Sequence, residues 1–405
     1  MGNEWINTEL GDVIELKRGY DLPKTKRING SVPVVSSSGH SGLHNEVKIK
    51  SPGVVTGRYG TIGQVFYIEE DFWPLNTTLY VKDFKGNDPL FIYYYLKTVS
   101  YKDYTDKGAV PGVNRNDLHR AKVSVPKCPK YQNKLATHLR DLDKKITLNN
   151  QINQTLEQMA QAIFKSWFVD FDPVKAKMNG EQPKGMDVTT ASLFPEKLVE
   201  SELGLIPEGW EASSMGEHFN VTMGQSPKGE TYNEDGEGIA FFQGRRDFGF
   251  RYPDVRVFTT DPKRYAKAGD TLISVRAPVG DKNMAAIDCC IGRGVGAIKH
   301  KSDSRSFTYA FVSHIEKKLG DSGSSGTVFS SINQKELKKV SFVAPPQELV
   351  EAFHNLVDPI DQKVEVLSKE IDSLSQLRDT LLPKLLSGEI DLENLSVEQA
   401  KALAE

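Results

Sequence analysis

Long apolar runs are missing from this chain. No stretch approaches the roughly eighteen apolar residues of a membrane-spanning helix, and Met1-Gly2-Asn3-Glu4-Trp5-Ile6 has no apolar signal core. Cysteine is scarce: Cys128, Cys289 and Cys290 form no Cys-x-x-Cys pair. An odd count without framework spacing fits a reducing cytoplasm, where the protein is expected to reside. No Gly-Lys dipeptide occurs, which excludes a phosphate-binding loop, and no glycine-rich dinucleotide fingerprint follows a strand. The tripeptides Asn-Pro-Pro and Asp-Pro-Pro, expected in an amino-methyltransferase, are absent. His40 and His44 lie four apart but among serines and glycines, not on a helix, so no metal site is expected. Glu-x-Lys triples, as at Glu15, Glu46 and Glu336, are ordinary in a charged chain. No catalytic residue emerges.

What is present is a heptad seam. Leu135, Leu139, Leu142, Ile146, Asn149, Asn153, Leu156, Ala160, Ile163 and Trp167 follow each other at alternating spacings of four and three. That spacing predicts a long helix packed along a partner helix. At about 1.5 Å per residue it is roughly 50 Å long. Adding 218 to each number gives Phe353, Val357, Ile360, Val364, Leu367, Ile371, Leu374, Arg378, Leu381 and Leu385, so the partner lies in the same chain. Asn149 and Asn153 stand where the second copy has Leu367 and Ile371. They either fix the register of an antiparallel pair or face water where the seam loosens. Pro359 is expected to break or kink the second helix early, and Pro383 to distort its last turn.

The repeat reaches beyond the helices. Trp5, Leu10, Gly11 and Gly19 recur 205 positions later as Trp210, Met215, Gly216 and Gly224. Asn114, Leu118 and Pro126 recur 219 later as Asn333, Leu337 and Pro345. Between them, Arg58 in Thr56-Gly57-Arg58-Tyr59-Gly60 answers to Arg276. The sequence divides into a globular unit at 1–128, a long helix at 129–172, an irregular linker at 173–208, a second unit at 209–345, a second helix at 346–390 and a tail at 391–405. Short β-type runs between Gly, Pro and Asn turns predict an α+β fold with mixed or antiparallel sheets in each unit. A duplication related by an approximate two-fold suits a two-part target and two copies of a partner.

The net charge of −3 hides a gradient. Residues 351–405 hold twelve acidic and five basic side chains, which leaves residues 1–350 at +4. The globular units are therefore the part fit to meet nucleic acid. In the second unit, Gln243 and the stretch Arg245-Arg246-Asp247-Phe248-Gly249-Phe250-Arg251-Tyr252 interleave arginines with aromatics and glycines, with Arg256 just beyond. This pattern reads either as a DNA-contacting loop or as a solvated basic loop. In the first unit the candidates are Lys17, Arg18, Ser36, Ser37, Ser38 and His40, whose hydroxyls and cations suit phosphate. The same residues also make an ordinary turn-rich surface. Arg58, with Tyr59 beside it, and Arg276 either contact DNA or pair with a carboxylate inside each unit. Asn114 and Asn333 follow matching glycine-containing loops, 107–112 and 322–326, and read as helix caps.

Two segments carry a family resemblance. Leu156-Glu157-Gln158-Met159-Ala160-Gln161-Ala162-Ile163-Phe164-Lys165-Ser166-Trp167-Phe168-Val169-Asp170-Phe171 resembles the end of the central helix of type I restriction-modification specificity subunits. Leu377-Arg378-Asp379-Thr380-Leu381-Leu382-Pro383-Lys384-Leu385-Leu386-Ser387-Gly388-Glu389-Ile390 resembles the end of that family's C-terminal helix, and Gly224-Gln225-Ser226-Pro227 its turn early in the second recognition domain. The resemblance implies two target recognition domains, each reading half of a split site in double-stranded DNA. It implies two antiparallel helices that set the separation. Leu142, Ile146, Asn149, Asn153, Leu156, Ile163, Trp167 and Phe168 would face Ile360, Val364, Leu367, Ile371, Leu374, Leu381 and Leu385 there, at the helix–helix and partner interface. It implies no catalytic residue and no cofactor in this chain. S-adenosylmethionine would sit on two methyltransferase subunits, and ATP and Mg on restriction-translocase subunits where these join. Two rival readings remain: a catalytic restriction or methylation enzyme, and a coiled-coil scaffold without DNA binding.

Overall fold

The computed structural model describes residues 4–105, 111–321 and 331–390. The chain forms two compact units, one of Met1–Asn149 with Glu370–Glu405 and one of Asn150–Lys369. The long helices Pro129–Phe168 and Gln347–Ser387 each contribute a segment to both. Among the described residues no helix is long and apolar enough to cross a membrane.

The first unit is built on an antiparallel sheet in the order Glu15–Arg18, Thr78–Asp83, Gly53–Gly57, Val65–Ile68. Its middle strand Gly53–Gly57 is buried throughout, as a β-branched run in a sheet centre should be. A second sheet holds Gly39–His44, Val32–Ser36 and Trp73–Pro74, the last pair parallel. Trp5–Glu9 pairs with Lys122–Pro126, the strand that closes the unit. The helix Pro89–Thr98 begins with Pro in its first turn and Asp88 as a cap that accepts from the Phe91 amide at 2.9 Å. Its Leu90, Phe91, Ile92, Tyr94, Tyr95 and Leu96 are buried. Leu135, Ala136 and Leu139 of the first long helix and Leu385 and Leu386 of the second close this core.

The second unit repeats the plan. Its main sheet runs Phe219–Met223, Val295–His300, Thr271–Ser274, Lys282–Met284, the same order with the same antiparallel sense. The second sheet again contains one parallel pair, Ile239–Phe242 with Cys289–Ile291. Glu211–Ser214 pairs with the closing strand Ser341–Ala344. The recurring glycines have a packing cause. A Cβ on Gly19 would lie 2.2 Å from the Leu75 carbonyl oxygen, and one on Gly224 would lie 2.1 Å from that of Gly292. Asn114 and Asn333 cap the short helices Arg115–His119 and Gln334–Lys338, accepting from the Asn116 and Glu336 amides. Of the loops before them, residues 107–110 and 322–326 lie outside the described residues, as does the tail at 391–405.

The helices pair antiparallel within each unit. In the first, Arg378 donates to Asp143 at 3.0 Å and Asn149 to Glu370 at 3.0 Å; in the second, Asn153 donates to Ser368 at 3.3 Å. All twenty seam positions are buried or half-buried. Asn149 and Asn153 are 0% and 1% exposed, so they do not face water. The second helix runs unbroken through Pro359, contrary to the expected break. That proline is exposed, so water can take the carbonyl that loses its amide partner. Gly388, at φ +78°, ends the helix in the left-handed conformation glycine tolerates.

Residues 173–208, expected to be an irregular linker, include ordered elements. Helices Asp172–Met178 and Val188–Ser192 are followed by an antiparallel hairpin of Leu198–Ser201 and Gly204–Pro207. Pro173 sits in a first helical turn, where no amide bond is lost, so it starts a helix instead of an irregular run.

Candidate nucleic-acid interface

The serine turn of the first unit and the turn at Gln243 of the second fall at one equivalent place. In the first unit, Val35 and Pro74 are parallel-strand partners, and the Leu75 amide donates to the Val35 carbonyl at 2.8 Å. In the second, Phe242 and Ile291 are such partners, and the Gly292 amide donates to the Phe242 carbonyl at 2.8 Å. Ser36-Ser37-Ser38 therefore occupies the position of Gln243-Gly244-Arg245. The same logic corrects the pairing of Arg58 with Arg276. Before each capping asparagine, the Val113 amide donates to the Arg58 carbonyl and the Ile332 amide to that of Val275. The bridges that follow are Tyr59 with Gly112 and Arg276 with Ser331. Tyr59, not Arg58, matches Arg276; the offset is 217 here and 219 at Val113 and Ile332.

In the first unit this place is a hydroxyl-rich surface with the Arg58 cation beside it. The Ser38 amide donates to Ser36 Oγ at 3.3 Å, and Ser36 Oγ donates to the Gly39 carbonyl at 3.0 Å. Thr61 donates its hydroxyl to the Ser37 carbonyl, while the Ser37 amide donates to Thr77 Oγ1 at 3.4 Å. The Arg58 and Tyr59 amides both donate to the Thr77 carbonyl, at 2.9 and 3.2 Å. Serine turn and Arg58-Tyr59 are thus brought together through Thr61 and Thr77, neither of which the sequence had singled out. The Arg58 guanidinium stacks on the Tyr59 ring at 4.5 Å and has no carboxylate partner among the described residues. Lys17 and Arg18 lie exposed on the edge strand, in register with Tyr80 and Leu79, and His40 is exposed in the neighbouring hairpin.

The second unit has a cavity of about 620 Å³ there, lined by Gln243, Arg245, Arg246, Arg256 and Arg276 over Tyr232 and Phe241. Asp247 builds its wall. It accepts from the Gln243 amide at 2.9 Å and from Arg256 at 2.6 Å, and the Arg256 guanidinium also donates to the Arg246 carbonyl at 3.0 Å. Arg245 pairs with Asp281. Gly294 is required beneath the turn, since a Cβ there would stand 2.4 Å from the Gln243 carbonyl oxygen. Asn233 and Glu234 complete the rim. They were missed in the sequence because the short strand Tyr232–Asn233 has no periodicity to read.

Arg251 is corrected. It is 2% exposed, donates to Glu157 of the first long helix and Asp361 of the second, and stacks on Tyr309 at 3.6 Å. A guanidinium so enclosed is a structural tie within this unit and does not reach a ligand. The seam side chains are likewise spent on one another: Trp167 and Phe168 both pack edge-on against Phe353, at 6.0 and 5.4 Å.

Among the described residues no group of three or more His, Cys, Asp or Glu side chains could hold a metal ion. Burial pushes the Cys289 thiol up to about 12, away from its nucleophilic form. The exposed guanidiniums, lysine and hydroxyls suit phosphates and base edges.

Comparisons with known proteins agree with this. The model of the type I restriction modification DNA specificity domain matches residues 2–158 and 207–376. The chain is 32% identical over 314 residues to a protein of Methanocaldococcus jannaschii named for the MjaX type I restriction enzyme as its specificity subunit, covering 75% of this chain and 68% of that one. It is 27% identical over 454 residues to the type I restriction enzyme HindI specificity subunit of Haemophilus influenzae, covering 95% and 94%. In fold it is similar to the crystal structure of a type I restriction-modification S subunit from M. genitalium, with a TM-score of 0.62 at 17% identity over 95% of this chain and 96% of that one.

Proposed function

The chain belongs to the type I restriction modification DNA specificity family, and on that premise we propose that it reads a bipartite site in double-stranded DNA, one half with each globular unit. The observation that carries this is the equivalence of the candidate surfaces. Equivalent turns of the two sheets bear Ser36-Ser37-Ser38 with Arg58 and Tyr59 in one unit, and Gln243, Arg245, Arg246 and Arg276 in the other. One scaffold with two different side-chain sets is what two unlike half-sites call for.

The long helices set the spacing and dock two methyltransferase subunits. Their seams are occupied by each other, so docking falls on the outer faces, where Leu148, Met159, Leu356 and Val366 are about half exposed. The chain itself is non-catalytic and holds no cofactor. S-adenosylmethionine acts on the methyltransferase subunits, and ATP with Mg on restriction-translocase subunits where present. The whole complex works in the cytoplasm. The test is to replace residues 209–345 with the matching domain of a relative and map the methylated motif with the methyltransferase partner present. One half of the motif should change and the other stay. A motif altered in both halves would refute the two-reader model.

A further inference from the structure

Four arginines line the cavity of the second unit, and they divide into two kinds. Arg245 is neutralised by Asp281, and Arg256 by Asp247. Both are spent on holding the turn. Arg246 and Arg276 are exposed, and among the described residues neither guanidinium has a carboxylate or hydrogen-bond partner. The rim divides in the same way. Asn233 is closed on Glu237 by two hydrogen bonds of 2.9 and 3.0 Å, whereas the side chains of Gln243 and Glu234 are exposed and unengaged among the described residues. Four uncommitted groups therefore remain: two guanidiniums, one amide and one carboxylate.

Resting on the DNA-reading role proposed above, we infer that Arg246 and Arg276 are the specificity-determining residues of the second unit and that they recognise guanine in a G·C pair. The choice of a base edge over a phosphate follows from the mixed charge of the lining. Glu234 stands exposed and unpaired on the same lining, and a phosphodiester laid across it would meet that carboxylate. A G·C edge offers both kinds of partner. Guanine O6 and N7 accept two bonds from one guanidinium, and the cytosine amino group donates to a carboxylate such as Glu234. The turn is rigid enough to hold such a geometry, since Asp247 ties Gln243 and Arg256 at 2.9 and 2.6 Å and Gly294 packs beneath it. The first unit has Tyr59 where the second has Arg276, so its half-site is read by other contacts.

The experiment uses the full chain with its methyltransferase partner and duplexes carrying the mapped motif with single base-pair changes. Arg246→Ala and Arg276→Ala should each relax one G·C position by about tenfold to a hundredfold, in the half that also changes when residues 209–345 are swapped. Lys267→Ala, at an exposed lysine that pairs with Asp288 and is not part of this lining, should leave the base preference intact. Thermal melting checks the fold, and Arg246→Gln and Arg276→Gln stand in for any alanine variant that melts early. Uniform weakening on all duplexes with a shallower salt dependence would make both residues phosphate contacts and overturn the inference. Unchanged discrimination in both would also overturn it. If the unsubstituted complex shows no bipartite motif at all, the failure belongs to the DNA-reading role itself.

Discussion

Arg251 and Asp361 form an ion pair whose side chains are 2% and 3% exposed, and Glu157 takes the other arm of the same guanidinium. Burial works against the charged arginine, yet Tyr309, Glu157 and Asp361 outweigh it and raise its pKa. A loop of the second unit is thereby fastened to segments of both long helices. Arg251→Met would strand two carboxylates, a loss of about 3–5 kcal/mol for a buried pair. The expected result is a matching loss of hydrogen-exchange protection across residues 239–300. Replacing Glu157 and Asp361 by leucine in the same variant should restore much of it. A loss under about 1 kcal/mol would show that water reaches the pair. A fall in DNA affinity with full protection would return Arg251 to the DNA surface.

What could be read from the sequence, and what could not, follows from range and periodicity. The seam was visible because a heptad repeats locally over ten positions, and the duplication because Gly19 and Gly224 each sit against a carbonyl that no side chain would clear. The role of Arg251 was hidden, since its partners lie 94 and 110 residues away and only packing joins them. The equivalence of Ser36-Ser37-Ser38 with Gln243-Gly244-Arg245 was hidden too. No residue type is shared, and the link is a parallel pair between short strands. The slip that aligned Arg58 with Arg276 arose because the offset changes between those strands and the helices.

Asn153 gives a second test. Its Oδ1 is buried without a partner, and its one hydrogen bond, to Ser368, is 3.3 Å long. An unmet buried acceptor costs about 1–3 kcal/mol, against roughly 1 kcal/mol for the bond that would be lost. Asn153→Leu, which places at this position the residue type found at Leu367, should therefore be neutral or stabilising by about 1 kcal/mol. The readout is the denaturation midpoint. A clear decrease would mean that both polar atoms are satisfied in solution. Asn149 should behave differently, because its partner Glu370 is charged and the bond is 3.0 Å.

His300 predicts a pH dependence. Its ring packs against Phe219 at 4.8 Å and Phe307 at 5.0 Å. Burial, with His218 and Lys301 nearby, lowers its pKa from 6.5 to about 4. The unfolded chain then binds the extra proton first as pH falls. The contribution of His300 is complete above about pH 6.5 and is lost progressively toward pH 4, by at most about 3 kcal/mol. Stability of the second unit, followed by the fluorescence of Trp167 and Trp210, should fall across that window. His300→Gln should be less stable at neutral pH and show a flatter profile. An unaltered slope would assign the acid sensitivity to other groups.

The helix pair gives the sharpest test of how the two half-sites are spaced. The seam keeps one offset of 218 over ten positions, although the offset of the globular parts drifts from 205 to 219. Constant length is what a spacer needs and an ordinary core does not. The division between the units falls at Asn149/Asn150 on one helix and Lys369/Glu370 on the other, so a matched insertion can be placed there in both. Seven residues after Asn149 and seven after Lys369 keep the heptad phase of each seam and the antiparallel match of Asn149 with Glu370. They add about 10 Å of helix, and DNA rises about 3.4 Å per base pair along each strand. The unspecified gap in the methylated motif should lengthen by about three base pairs, with both half-sites unchanged. Three base pairs also turn one half-site about the duplex axis relative to the other, and the DNA must twist or bend to keep both engaged, at a cost of a few kcal/mol. The variant should therefore methylate more weakly and with the longer gap. A folded, active variant that keeps the original gap would show that the helices do not measure the distance.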